Sequence, residues 1–119
     1  MAVSGGRLGG IEGTTTTYKS LYQPAAGILA TVTVTACNRA SAARVIRIAV
    51  PQTATVDPTP GDGTFKIYGR SLAAAGDANG KDVLQLTGVV LNGTNLDQVT
   101  VYTDGIDVDF TCDGVTETL

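Results

Sequence analysis

Residues 28–36, Ile-Leu-Ala-Thr-Val-Thr-Val-Thr-Ala, alternate apolar and hydroxyl-bearing side chains with a period of two. Successive side chains of a β-strand point to opposite faces, so this order puts Ile28, Ala30, Val32, Val34 and Ala36 on one face and Thr31, Thr33 and Thr35 on the other. One face is built for a core. The same rhythm extends in both directions. Beyond a polar link at residues 38–41, Ile46, Ile48 and Val50 share a face with Arg44 in phase, Val45, Arg47 and Ala49 share the opposite one, and Pro51 ends the strand because it cannot donate to a ladder. Upstream, the threonine- and tyrosine-rich residues 14–22 have high strand propensity, broken by Pro24 and Gly27.

Downstream, residues 53–63 carry Pro58, Pro60 and Gly61-Asp62-Gly63 and read as a long loop. Residues 64–72 return as a strand with Phe65 and Ile67 inward and Lys66, Tyr68 and Arg70 outward. The apolar run 83–91 is interrupted by Gly88, where a bulge is expected. Asn92-Gly93 turns the chain, Val99 and Val101 mark another strand, and Asp104-Gly105 is a hairpin signal before Ile106, Val108, Phe110 and Cys112. About seven strands with no helical period predict an all-β domain over 14–119, a single antiparallel sandwich of jelly-roll-like or Ig-like type. Residues 1–13 are rich in glycine with Leu8 and Ile11 as their only apolar anchors, and read as an extended N-terminal arm able to dock on a neighbour.

The composition narrows the function. Of the 119 residues 43% are hydrophobic, only 5% are aromatic, and there is no Trp and no His. Without histidine, Ser-His and Cys-His activation and imidazole metal ligation are excluded. Charged residues make up 16% and the net charge is -3, which argues against a nucleic-acid footprint. Neither a basic start with an apolar run nor an 18-residue apolar stretch is present, so a soluble, unexported protein without membrane contact is expected.

Cys37-Asn38-Arg39 poses the one question of reactivity. Counting by twos puts Cys37 on the threonine face and Cys112 on the inward face, so a bridge between them fails on geometry unless a bulge intervenes. Cys37 has no base to take its proton, and Asn38 and Arg39 fit the connection of a β-hairpin. The triplet reads as a bend, with no catalytic, cofactor or metal residue assigned.

A family resemblance rests on Leu21-Tyr22-Gln23-Pro24-Ala25-Ala26-Gly27, Cys37-Asn38-Arg39, Arg47-Ile48-Ala49-Val50, Leu86-Thr87-Gly88-Val89-Val90-Leu91 and Asp97-Gln98-Val99-Thr100-Val101-Tyr102. In order and spacing, over roughly residues 14–112, these resemble small structural proteins of tailed-bacteriophage virions. The resemblance implies a non-enzymatic β-sandwich subunit at the tail, baseplate or neck, or decorating the capsid, made in the host cytoplasm and carried in the virion. It also implies partners among other virion proteins and copies of itself, as a homo-oligomer.

Surface chemistry leads to the same place. A threonine face with few charges costs little to desolvate, so Thr31, Thr33 and Thr35, with Arg7, Leu8 and Ile11 of the arm, are the expected assembly contacts. The alternative is a receptor- or carbohydrate-binding module of a tail fibre, for which Tyr18, Tyr22, Tyr68 and Tyr102 would supply the aromatic platform. Asp107 and Asp109, on one strand face, could form an acid and base pair but read as a solvated surface. Residues 77–82 echo a calcium loop without its closing Glu and read as an ordinary acidic turn. Asn92-Gly93-Thr94 fits a glycosylation acceptor but reads as a hairpin turn.

Overall fold

The structure, a computed structural model, describes residues 3–52 and 64–119; the loop expected at 53–63 lies outside them. Eight strands follow in order: β1 (Val3–Glu12), β2 (Lys19–Tyr22), β3 (Ile28–Asn38), β4 (Arg44–Ala49), β5 (Phe65–Leu72), β6 (Val83–Asn92), β7 (Val99–Thr103) and β8 (Val108–Thr118). They form two four-stranded antiparallel sheets, β1-β8-β3-β6 and β2-β7-β4-β5. Only the β4 to β5 connection stays within a sheet; every other one crosses to the opposite sheet. That is the eight-stranded jelly-roll form of the sandwich. Among the described residues there is no α-helix, and one short 3-10 turn lies at Gly93–Asn95.

Alternation in β3 is as the sequence requires. Ala30, Val32, Val34 and Ala36 are buried, while Thr31 is exposed and Thr33 and Thr35 are half-buried on the outer face. Opposite them lie Ile46 and Ile48 of β4 and Val99 and Val101 of β7, with Val108, Phe110 and Cys112 of β8 and Leu91 of β6 completing the core. Burying this Val, Ile and Leu surface is the main stabilising term.

Residues Val3–Glu12, expected as an arm, are extended and paired along their length with β8, and Leu8 and Ile11 pack against the chain's own core. Their addition makes the strand total eight rather than seven. The strand expected over 14–22 shortens to Lys19–Tyr22, because Thr14 to Thr17 close a tight turn with Thr16 in the left-handed region at φ 52°.

Three connections read as hairpins are crossings between sheets. Asn38 to Arg44 joins β3 to β4, Asp104-Gly105 lies between β7 and β8, and Asn92-Gly93 lies between β6 and β7. At the last, Asn92 Oδ1 accepts a hydrogen bond from the Thr94 amide at 3.0 Å and starts the 3-10 turn. A side chain at Gly93 would fall on the Ala25 carbonyl, 2.7 Å from the Pro24 oxygen, so the crossing has room only for glycine there.

Two further expectations change for a local reason. Lys66 is an extra residue in the β4–β5 ladder, so Ile67 pairs with Ile48 and faces in while Phe65 pairs with Ala49 and joins the outer aromatic face. Ile106 does not continue the inward row of Val108 and Phe110. It is exposed, because Asp107 at φ 68° reverses the chain just before β8. The bulge expected at Gly88 is present, with φ 72° and a register shift opposite Thr33.

Candidate assembly surfaces

The outer face of the β1-β8-β3-β6 sheet alternates rows of small uncharged side chains with rows that carry charge. Gly5, Val115, Thr31 and Val90 stand abreast across its four strands, followed by Arg7, Asp113 and Thr33, then Gly10, Thr111, Thr35 and Gln85. Val90 is 57% exposed and Val115 44%. The face therefore gathers Arg7 with Thr31, Thr33 and Thr35, as four of the six expected contacts. Leu8 and Ile11 are not brought there, since they turn inward. Val90 was missed by sequence reasoning because the Gly88 bulge resets the alternation of β6, and that glycine was the available signal; Val115 was missed because the last strand was followed only to Cys112, whereas β8 runs on to Thr118.

At one end of this sheet Arg39 draws three carboxylates together. Its Nε donates to Asp109 Oδ2 at 2.7 Å, and its Nη2 lies 3.3 Å from Glu12 and 3.9 Å from Asp107. The Asp109 hydrogen bond and charge, then Glu12 and Asp107, push the guanidinium pKa further up. Asp107 and Asp109 thus share a cation instead of standing as a free acid and base. Beside it, Asn38 is buried with both amide hydrogens used: Nδ2 donates to the Ala42 and Ala73 carbonyls at 2.9 Å each, and Oδ1 accepts from the Ala40 amide at 2.9 Å. The Cys37-Asn38-Arg39 bend is a structural joint held by its own side chains.

The acidic turn is occupied in the same way. Asp77 Oδ2 accepts from the Asn79 and Lys81 amides at 3.1 and 3.0 Å, and Asp82 Oδ2 from the Gly76 amide at 3.1 Å. Backbone donors hold one oxygen of each carboxylate and so organise the turn.

Both cysteines are free, Cys37 half-buried on the outer face and Cys112 buried in the core. Burial, then the Asp113 charge, pushes the Cys112 thiol up to about 11. An unfolded cysteine ionises near pH 8.5. As the pH rises from there through about 11, the unfolded chain sheds a proton that the folded chain keeps, so stability falls across that window and is complete below it. At pH 8 a thiol-exchange reagent is expected to titrate Cys37 in the folded protein and Cys112 only after denaturant is added. Rapid reaction of both thiols would mean that Cys112 is not enclosed by the core.

The outer face of the other sheet is aromatic. Arg47 stacks on the Tyr68 and Tyr102 rings, each centroid 4.4 Å from its guanidinium carbon, and its Nη1 donates to the Tyr18 hydroxyl at 3.0 Å. Phe65 meets Tyr68 edge-on at 89°, and Tyr18 and Tyr102 are inclined by 42°. None of the ring pairs in contact is coplanar, and Tyr68 alone is strongly exposed, at 57%. Tyr22 lies elsewhere, packed against the core.

Between the edges of β5 and β6 the sheets part. A groove of about 580 Å³ runs there, with Val50, Gln52, Thr64 and Lys66 on one side and Leu86 to Val90 on the other. Asp97 lines it with Oδ2 bonded to the Asn92 amide at 2.8 Å and Oδ1 buried without a partner. Comparison of the chain with family models, with curated proteins and with solved structures finds no match.

Proposed function

We propose that this chain is a non-enzymatic structural subunit of a tailed-phage virion, assembling through protein contacts at the tail, baseplate or neck, with capsid decoration as the other station. The observation that carries the reading is the outer face of the first sheet, where Gly5, Val115, Thr31 and Val90 form an uncharged row across four strands. Such a row loses little hydration on contact and offers no reactive group. The order of motifs that resembles phage virion proteins points the same way. The glycan-binding alternative draws less support, since a sugar ring packs on an open ring face and the rings around Arg47 are tilted against one another.

The test is made on particles of the phage whose genome encodes the chain. Its peptides should be recovered from density-banded virions in a fixed ratio to the major capsid protein. Replacing both valines, Val90→Lys with Val115→Lys, should lower that ratio at least tenfold while leaving the purified protein folded by circular dichroism. Virions that lack the chain altogether would overturn the proposal.

A further inference from the structure

The four sheet edges are not equally defended. In the β2-β7-β4-β5 sheet the end strands carry Lys19, Lys66 and Arg70, and charge on an edge discourages pairing with another chain. In the other sheet the end strands are β1 and β6, each ten residues long. β6, Val-Leu-Gln-Leu-Thr-Gly-Val-Val-Leu-Asn, has no charged residue and no proline, while β1 carries Arg7, paired across to Asp113, and Glu12 at its end. Among the described residues no strand pairs with the outer edge of either. The ends of β6 are already engaged, the Val83 amide with the Gly80 carbonyl and the Asn92 amide and carbonyl with Asp97; between them the open backbone edge specifies its occupant chemically, as another strand.

The directions and the register identify that strand. Each neighbouring pair in β1-β8-β3-β6 is antiparallel, so β1 and β6 run in opposite senses at the two ends. A second copy placed beside the first in the same orientation therefore meets β6 with its own β1, antiparallel. Each of the two strands also holds one extra residue at its middle, Leu8 in β1 and one of Thr87-Gly88 in β6. Aligned over their full length, Val3 faces Asn92, Glu12 faces Val83, and Leu8 falls opposite Thr87. The two bulges then lie at one level and their phase shifts cancel. Gly5 meets Val90 and Gly10 meets Gln85 on the outer face, while Gly9 meets Leu86 and Ile11 meets Leu84 on the inner face. A one-residue slip would set inward side chains against outward ones.

We infer that the β6 edge of one copy pairs with the β1 edge of the next, joining their first sheets into one continuous antiparallel sheet. The inference rests on the assembly reading above and names its interface. Leu84 and Leu86, both left half-buried and the second of them lining the groove under β6, gain Ile11 and Gly9 of the neighbour as cover. At the far end Lys19 Nζ holds the Glu12 carbonyl at 3.4 Å, which marks where pairing stops. Because the two edges differ, the contact is head-to-tail and repeats as a ring or a filament, not as a closed two-fold dimer.

The test joins Gly5→Cys with Val90→Cys in a Cys37→Ser chain. A Cβ at Gly5 meets nothing closer than the Gly114 oxygen at 3.5 Å, so the first change is tolerated in place. Within one chain the two positions are three strand spacings apart, roughly 14 Å, beyond the reach of a disulfide. Mild oxidation should give a ladder of covalent dimers, trimers and higher forms on a denaturing gel. A mixture of the two single variants should give dimers containing one of each. Dimers formed equally well by Val90→Cys alone would overturn the pairing in favour of β6 with β6. If the unmodified chain sediments as an oligomer but the mixture yields no bridge, this interface falls while assembly through another face stands. If it sediments as a monomer and yields no bridge, the interface falls, and the particle experiment alone decides the virion reading.

Discussion

Phe110→Ala should destabilise the protein by about 3–5 kcal/mol, seen as a large drop in the urea midpoint with little change of slope. Phe110 is fully buried on β8, the strand between β1 and β3, where it pairs with Ile11 and Ala36. Its ring also fills the space a side chain at Gly13 would need, since a Cβ there would stand 3.0 Å from the ring and 2.6 Å from the Thr103 methyl. With neighbours fixed by two ladders and a buried glycine, the site has little freedom to collapse around the cavity. A domain of this kind holds about 5–15 kcal/mol in total, so the variant keeps a small fraction of its margin or loses it. Phe110→Leu should recover most of the loss. An alanine variant less than about 1 kcal/mol weaker than the parent would place the core elsewhere.

Asn38→Ala should cost about 2–3 kcal/mol, because it orphans the buried Ala40 amide, at about 1–3 kcal/mol, and also strips the Ala42 and Ala73 carbonyls, which are less enclosed and lose less, of their bonds. Asn38→Asp separates this account from simple loss of volume. A carboxylate cannot donate to the two carbonyls, so the aspartate variant should be the weaker of the two at pH 7 and should recover as acid protonates it. Arg39→Ala, at a side chain 48% exposed, should change the urea midpoint little. If Asn38→Ala were silent and Arg39→Ala severe, the bend would be organised by its ion cluster and not by the buried amide.

The same triplet shows how far local pattern carries. Alternation in β3 placed Ala30, Val32, Val34 and Ala36 inward and Cys37 opposite Cys112, because a strand's side-chain period is a property of the backbone alone. The Gly88 bulge was legible for a similar reason, since glycine accepts the left-handed backbone that other residues avoid. Turn residues at Asn38, Asn92 and Asp104 marked where the chain bends. They did not distinguish a hairpin from a crossing, because a bend that returns in its own sheet and one that passes to the other use the same residues.

Sequence by itself therefore determined seven of the eight strands, the inward faces of β3 and of β8 from Val108 on, and the absence of imidazole chemistry. Tertiary structure decided which strands are neighbours, that Val3–Glu12 closes one end of a sheet, that Lys66 turns Phe65 outward, and that Val90 and Val115 share a row with Thr31. The reason is the range of the forces involved. A side-chain period is set between adjacent residues, whereas an edge, a row or a matched pair of bulges exists only after strands far apart in the chain have been brought side by side.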